Sequence, residues 1–177
     1  MSTLHERGGP PVLRIGGNSQ EKAYIVDSIE EGRHSTHCDA AGATYSPSLL
    51  YTKDIFVAMR TASDLLGINW ILGLPMNQTE PARLQVAEAA EPALGDSLLS
   101  WQLGNEPDLY PNSGLRPAGY DAAAYMVEYA SIINQMKANP NLKSPPRIGG
   151  PSLCECNTGW TTADLINNHG WLTQCAY

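Results

Sequence analysis

Leu98-Leu-Ser-Trp-Gln-Leu-Gly-Asn-Glu-Pro107 is the stretch on which the fold turns. Its first part is short and mostly apolar, with Leu98, Leu99, Trp101 and Leu103 around Ser100 and Gln102, and reads as a strand of a sheet. Gly104 breaks the run, and Asn105, Glu106 and Pro107 close it with two polar side chains and a residue that cannot continue a hydrogen-bonded ladder. The reading is therefore a strand whose C-terminal end carries a carboxamide and a carboxylic acid side by side.

Working outward from this strand, the same alternation recurs on both sides. Upstream, Thr79-Glu80-Pro81 reads as a helix start, because proline is tolerated in the first turn, and that helix runs to about Leu94 before Gly95. Before it, Asn69-Trp-Ile-Leu-Gly-Leu-Pro-Met76 reads as a buried strand. It is preceded by a helix over Asp54–Leu66, with Ile55, Met59, Ala62 and Leu66 on one face and Gly67 as its stop. Residues 19–52 are polar and irregular, long for a structureless loop, so they are part helical or a functional insertion. Val12-Leu-Arg-Ile15 is a short strand ending in Gly16-Gly17-Asn18. Downstream, a loop over 108–119 leads to a helix over 120–138, with Met126, Ala130, Ile133 and Met136 near one face. Arg147-Ile-Gly-Gly-Pro151 is another short strand, and Thr161 with Asp164 resembles a capping box that opens a last helix.

Strands alternating with helices imply parallel strands joined by right-handed crossovers. A doubly wound sheet and a (β/α)8 barrel both fit. A whole barrel takes about 250 residues, so on a barrel reading these 177 residues are a fragment. The four strand ends, near residues 17, 75, 106 and 151, all carry polar or Gly/Pro chemistry, and barrel active sites are built at that rim. A carboxylic acid there can donate a proton to a leaving oxygen, and a neighbouring asparagine can hold a sugar hydroxyl. The alternative is that Asn105 and Glu106 only cap the turn that follows.

Bulk composition narrows the class. With 42% hydrophobic and 16% charged residues the chain has ordinary globular composition. A formal net charge of −7 argues against non-specific binding to nucleic acid or anionic membranes. No stretch approaches the roughly 20 apolar residues of a membrane span, and Met1–Pro11 is too polar for a signal peptide. The four cysteines (Cys38, Cys154, Cys156 and Cys175) allow three full pairings, with free buried thiols as the alternative. Asn77-Gln-Thr79 is an N-glycosylation pattern, relevant if the chain is secreted. His34-x-x-His37-Cys38 offers three potential ligands but not regular zinc spacing, so no metal is expected. Gly16-Gly17 and Gly149-Gly150 lack the G-x-G-x-x-G spacing of dinucleotide sites, and no G-x-S-x-G marks a serine nucleophile. No cofactor is expected.

Trp101-Gln-Leu-Gly-Asn-Glu-Pro-Asp-Leu-Tyr110 resembles the acid/base segment of clan A glycoside hydrolases, and most of all family 79, the β-glucuronidases and heparanase. Leu13-Arg-Ile-Gly-Gly-Asn-Ser19, Trp70-Ile-Leu-Gly-Leu-Pro75 and Ile148-Gly-Gly-Pro-Ser152 agree with the same family, in its order, over most of the chain. The resemblance is greatest to fungal members.

The resemblance implies a partial (β/α)8 catalytic domain over residues 1–177, comprising about strands 2 to 5 with their helices. Leu4-His-Glu-Arg-Gly-Gly9 resembles the end of the first barrel helix. The first strand, strands 6–8 and a C-terminal β-sandwich are expected to lie outside the chain, and the parent enzyme is expected to be secreted. The implied partner is a uronic-acid-containing glycan, cleaved with retention by two carboxylates roughly 5 Å apart. Glu106 matches the acid/base, and the nucleophile is expected outside this chain. Asn105 matches the residue that holds the sugar near its 2-hydroxyl. Asn18 and Ser19 are candidate substrate contacts, with a glycine-assisted turn as their alternative role. Asp108 reads as a solvated loop carboxylate, Glu155 lies where the family has no nucleophile, and Tyr110 and Trp160 either stack on sugar or pack. Other readings are a different clan A glycosidase or a non-catalytic carbohydrate-binding piece. A bare segment of barrel is further expected to expose strand edges and self-associate.

Overall fold

The computed structural model describes residues 2–29, 35–37, 48–143, 145–155 and 159–175. Its main sheet has four strands: β1 (Val12–Ile15), β5 (Asn69–Leu74), β6 (Leu98–Leu103) and β7 (Ile148–Gly149). They lie side by side in that order, and every neighbouring pair is parallel. The order never reverses, whereas a doubly wound sheet changes direction at a switch point. The helices between these strands are α2 (Asp54–Leu66), α3 (Gln85–Leu94) and α5 (Ala122–Ala138). Shorter helices are α1 (Ser2–Gly8), α4 (Tyr110–Ser113), α6 (Thr162–Asn168) and α7 (Trp171–Cys175). The chain is thus a mixed α/β structure built on a parallel sheet.

Alternation along β5 explains how the layers lock. Trp70, Leu72 and Leu74 are buried, while Asn69, Ile71 and Gly73 between them are half-buried, as the two-residue period of a strand requires. The indole of Trp70 donates to Ser63 on α2 at 2.7 Å, and that of Trp101 on β6 donates to Glu91 on α3 at 3.0 Å. Each tryptophan brings a large apolar face into the core and still satisfies its N–H. Behind β6, Tyr125 and Tyr129 of α5 pack with Trp160 and Trp171.

Several sequence expectations need correction. Residues 19–52 are not simply irregular: their described part holds a second sheet of β2 (Ala23–Ile25), β3 (Ser35–His37) and β4 (Leu49–Tyr51), ordered β2-β4-β3. Its pairing is between distant residues, which local pattern does not reveal. The helix expected from Thr79 begins six residues later, at Gln85, because Thr79 and Ala82 bridge across a tight turn holding Glu80 and Pro81. The buried stripe of α2 is Phe56, Met59 and Ser63, and Leu66 is exposed. The other limits agree closely. Gly67 ends α2 with φ 66°, and Thr161 caps α6 by accepting from the Asp164 N–H at 3.2 Å. Among the described residues no helix is long and apolar enough to cross a membrane.

Candidate active site

The C-terminal ends of β1, β5 and β6 meet at one edge of the sheet. β6 stops at Gly104, whose φ of 72° is in the left-handed region that glycine tolerates. A Cβ there would sit 2.7 Å from the Tyr110 hydroxyl and 3.0 Å from the Met76 sulfur, so a side chain is excluded by space as well as by backbone. The chain then turns through Asn105 to Glu106, which has φ 50° and ψ 55°. A non-glycine residue in this conformation costs roughly 1–3 kcal/mol, and such residues cluster at functional sites. Glu106 is held there from both sides. Its own N–H donates to the Ser152 carbonyl after β7 at 2.8 Å, and the preceding Asn105 N–H donates to the carboxylate of Glu21 at 2.9 Å.

Asn105 is buried and its carboxamide is oriented by charge. The Arg14 guanidinium on β1 donates to Gln102 and, at 2.9 Å, to Asn105 Oδ1. With the oxygen so engaged, Asn105 Nδ2 points the other way, donating to Asn18 Oδ1 at 3.0 Å and to Glu106 Oε2 at 3.4 Å. Asn18, Asn105 and Glu106 are therefore brought together, from residues 87 apart in sequence. Ser19 is placed differently: it lines a mostly apolar cavity with Tyr51, Phe56 and Leu72. Glu106 precedes a 3-10 turn over Pro107–Leu109, but no side chain caps that turn. Capping therefore does not explain either polar residue.

Glu21 is the residue that sequence reasoning missed. It lies in a 3-10 turn over Asn18–Lys22 and is only 3% exposed. Oε2 accepts from the Met76 N–H at 2.7 Å, and Oε1 accepts from Asn105 N–H and from the Tyr110 hydroxyl at 2.7 Å. Burial pushes its carboxyl above the ordinary 4.5, opposed by hydrogen bonds from Tyr110, Met76, Asn105 and Asn77. The one clue in the sequence was its position three residues beyond Asn18, at a strand end.

One neighbour differs from expectation, and two settle between their alternatives. Asp108 is not a solvated loop carboxylate: it is buried, and accepts from the backbone N–H groups of Cys154 at 3.0 Å and Glu155 at 2.8 Å. Tyr110 is 1% and Trp160 6% exposed, so their rings pack inside the protein. Tyr120 links them, stacked on Tyr110 and edge-on to Trp160. Glu155 is exposed and accepts from the Thr162 N–H at 2.7 Å, a bond that holds its carboxyl below the usual range. Asn77 Oδ1 accepts from Arg83 Nε at 3.0 Å. Cys154 is disulfide-bonded, which answers the free-thiol alternative for that residue. Cys38, Cys156 and His34, from the cysteine and metal readings, lie outside the described residues.

Comparison with known proteins finds sequence relatives and a structural neighbour. A β-glucuronidase of Aspergillus niger is 26% identical over 131 residues, covering 70% of this chain and 24% of that protein. A β-glucuronidase of Neurospora crassa is 28% identical over 129 residues, 69% of this chain and 23% of that protein. The chain is thus similar in sequence to two β-glucuronidases over about 70% of its length. It spans about a quarter of the length of these curated relatives. No family model matches it. Among solved structures it resembles a 4-O-α-L-rhamnosyl-β-D-glucuronidase from Fusarium oxysporum, described as a complex with Rha-GlcA. The TM-score is 0.55 at 21% identity, over 85% of this chain and 32% of that one. This likeness is one of fold.

Proposed function

We propose that the chain carries the acid/base side of a retaining β-glucuronidase site. In this reading the four-stranded parallel sheet is an arc of a (β/α)8 barrel of the glycoside hydrolase family 79 type. The unreversed order β1-β5-β6-β7 supports the barrel, since barrel strands follow one another around the sheet in sequence. One observation carries the functional reading. A carboxylic acid, held in a left-handed backbone conformation and capping nothing, lies beside a carboxamide oriented by Arg14 at the shared end of the strands. The similarity to two β-glucuronidases supplies the substrate class.

Chemically, Glu106 gives its proton to the glycosidic oxygen as the bond from C1 to that oxygen breaks, while a second carboxylate attacks C1. Glu106, now a carboxylate, then takes a proton from water as the water attacks C1 and releases the second carboxylate. Asn105 Nδ2 exchanges its long 3.4 Å bond to Glu106 for one to the sugar 2-hydroxyl, and Asn18 lines the approach. The acids near Glu106 are committed elsewhere. Glu21 accepts from Met76, Asn105 and Tyr110, Asp108 accepts from two backbone N–H groups, and the exposed Glu155 accepts from the Thr162 N–H. None of these three is free to serve as the second carboxylate, and in this reading a later barrel strand supplies it, as the family resemblance implies, in a secreted parent enzyme acting on uronic-acid-containing glycans.

The test uses the protein encoded by the whole reading frame that carries this segment. Glu106→Ala should slow turnover of 4-nitrophenyl β-D-glucuronide, because water loses its base. Added azide, which needs no base, should restore the rate and yield the β-glucuronosyl azide. Wild-type turnover in the Ala variant, or rescue with inverted stereochemistry, would sink the assignment. The 177-residue chain by itself should turn over none of this substrate.

A further inference from the structure

We infer that Glu21 is the positioning residue for the Asn105–Glu106 pair, a role that rests on the acid/base reading of Glu106. The acid/base must meet a leaving oxygen in one geometry, and an error near 1 Å can cost about 10²-fold in rate. Glu106 sits at the end of a short strand, after a glycine and in a strained conformation, so its own backbone preferences do not hold it in place.

Glu21 supplies the missing constraint. Its carboxylate is buried among three ends of the structure: the Met76 N–H after β5, the Asn105 N–H after β6, and the Tyr110 hydroxyl from the helix that follows Glu106. Two of these donors flank Glu106 in sequence, one residue before and four after. A side chain that accepts from both fixes the chain on either side of the acid. The geometry is closed from the other side as well. Tyr110 is itself fixed, since the residue is 1% exposed and its ring is stacked on Tyr120. Arg116 Nη2 donates to the Met76 carbonyl at 2.7 Å, holding the same peptide strand end that Glu21 holds through its N–H. Glu21 itself is 3% exposed, so it is not placed to contact a substrate and acts through Asn105.

A residue that only stabilises the fold would, when altered, lower activity equally for every substrate. A residue that positions the acid should show a dependence on the leaving group. Protonation matters for a poor leaving group and hardly at all for 2,4-dinitrophenolate. The experiment measures kcat/KM of the whole enzyme on a series of aryl β-D-glucuronides for wild type, Glu106→Gln and Glu21→Gln. A carboxamide at position 21 offers an NH2 where only donors converge, so at least one strand end must move. Glu21→Asp keeps the carboxylate one methylene short, and serves if the first variant does not fold.

For either variant we expect a loss of tenfold or more with phenyl or 4-methoxyphenyl glucuronide and less than threefold with the 2,4-dinitrophenyl substrate. An equal loss across the series, or none, overturns the inference. If Glu106→Gln itself shows no leaving-group dependence, the acid/base reading fails first and the inference falls with it. A leaving-group-dependent Glu106→Gln beside a uniform Glu21 variant overturns the role of Glu21 alone.

Discussion

Replacing Gly104 by alanine combines the two constraints at the end of β6, and a control for one of them exists in the same chain. Gly104 and Gly114 both have φ 72°. An alanine at either costs about 1–2 kcal/mol for the left-handed conformation alone. At Gly114 nothing lies within 4 Å of the added Cβ, so that is the whole cost. At Gly104 the Cβ meets the Tyr110 hydroxyl at 2.7 Å and the fully buried Met76 sulfur at 3.0 Å. The hydroxyl is bound to Glu21 and the methionine has no free space, so relief of the clash adds about 1–3 kcal/mol of overpacking. The expected losses are about 3 kcal/mol for Gly104→Ala and about 1 kcal/mol for Gly114→Ala. In a domain of this size 3 kcal/mol lowers Tm by roughly 6–12 °C. Urea unfolding followed by the fluorescence of the buried tryptophans measures both, with equal m-values showing that the same surface is exposed. Equal losses for the two variants would refute the close approach of Tyr110 and Met76 to Gly104, and with it the packing described for this strand end.

Three further outcomes follow from single residues. Glu106→Gly should raise stability by about 1 kcal/mol, because it removes the cost of a left-handed non-glycine residue, while abolishing the proposed proton transfer; a destabilised glycine variant in the same unfolding assay would contradict the strain. Asp108→Ala leaves the N–H groups of Cys154 and Glu155 without their acceptor and should cost about 2 kcal/mol in urea unfolding; no measurable change would mean that the tie is not formed in solution. The folded state raises the Glu21 carboxyl above 4.5, so over the interval from there to the folded value the native protein binds more protons than the unfolded chain, and stability falls as pH rises. Wild-type stability minus that of Glu21→Gln should therefore decline with rising pH across this interval, and a difference that stays flat from pH 4 to 8 would remove the burial effect.

The helix α2 was legible residue for residue, because a face repeating every three to four positions and a terminal glycine are both local signals. Its buried stripe was misjudged by one position, since which side of the helix meets the sheet depends on the sheet. Thr161 was legible as a cap for the same local reason, and Asn105 with Glu106 as a strand end of polar chemistry. The small β2-β4-β3 sheet was not, because its strands of three residues carry no periodicity long enough to read.

The chain's sequence by itself determined the alternation of strands and helices, the glycine stops, and the pairing of a carboxamide with a carboxylic acid after β6. Each of these rests on interactions within a few residues, so each leaves a pattern in the order of the residues. Only the tertiary structure decided that Glu106 adopts a left-handed conformation, that Asp108 and Tyr110 are buried, and that Glu21 joins two strand ends and a helix 55, 84 and 89 residues away. A hydrogen bond across such distances leaves no repeat or spacing in the sequence. It exists because β1, β5 and β6 lie side by side, and that neighbourhood is set by the packing of the whole sheet against its helices.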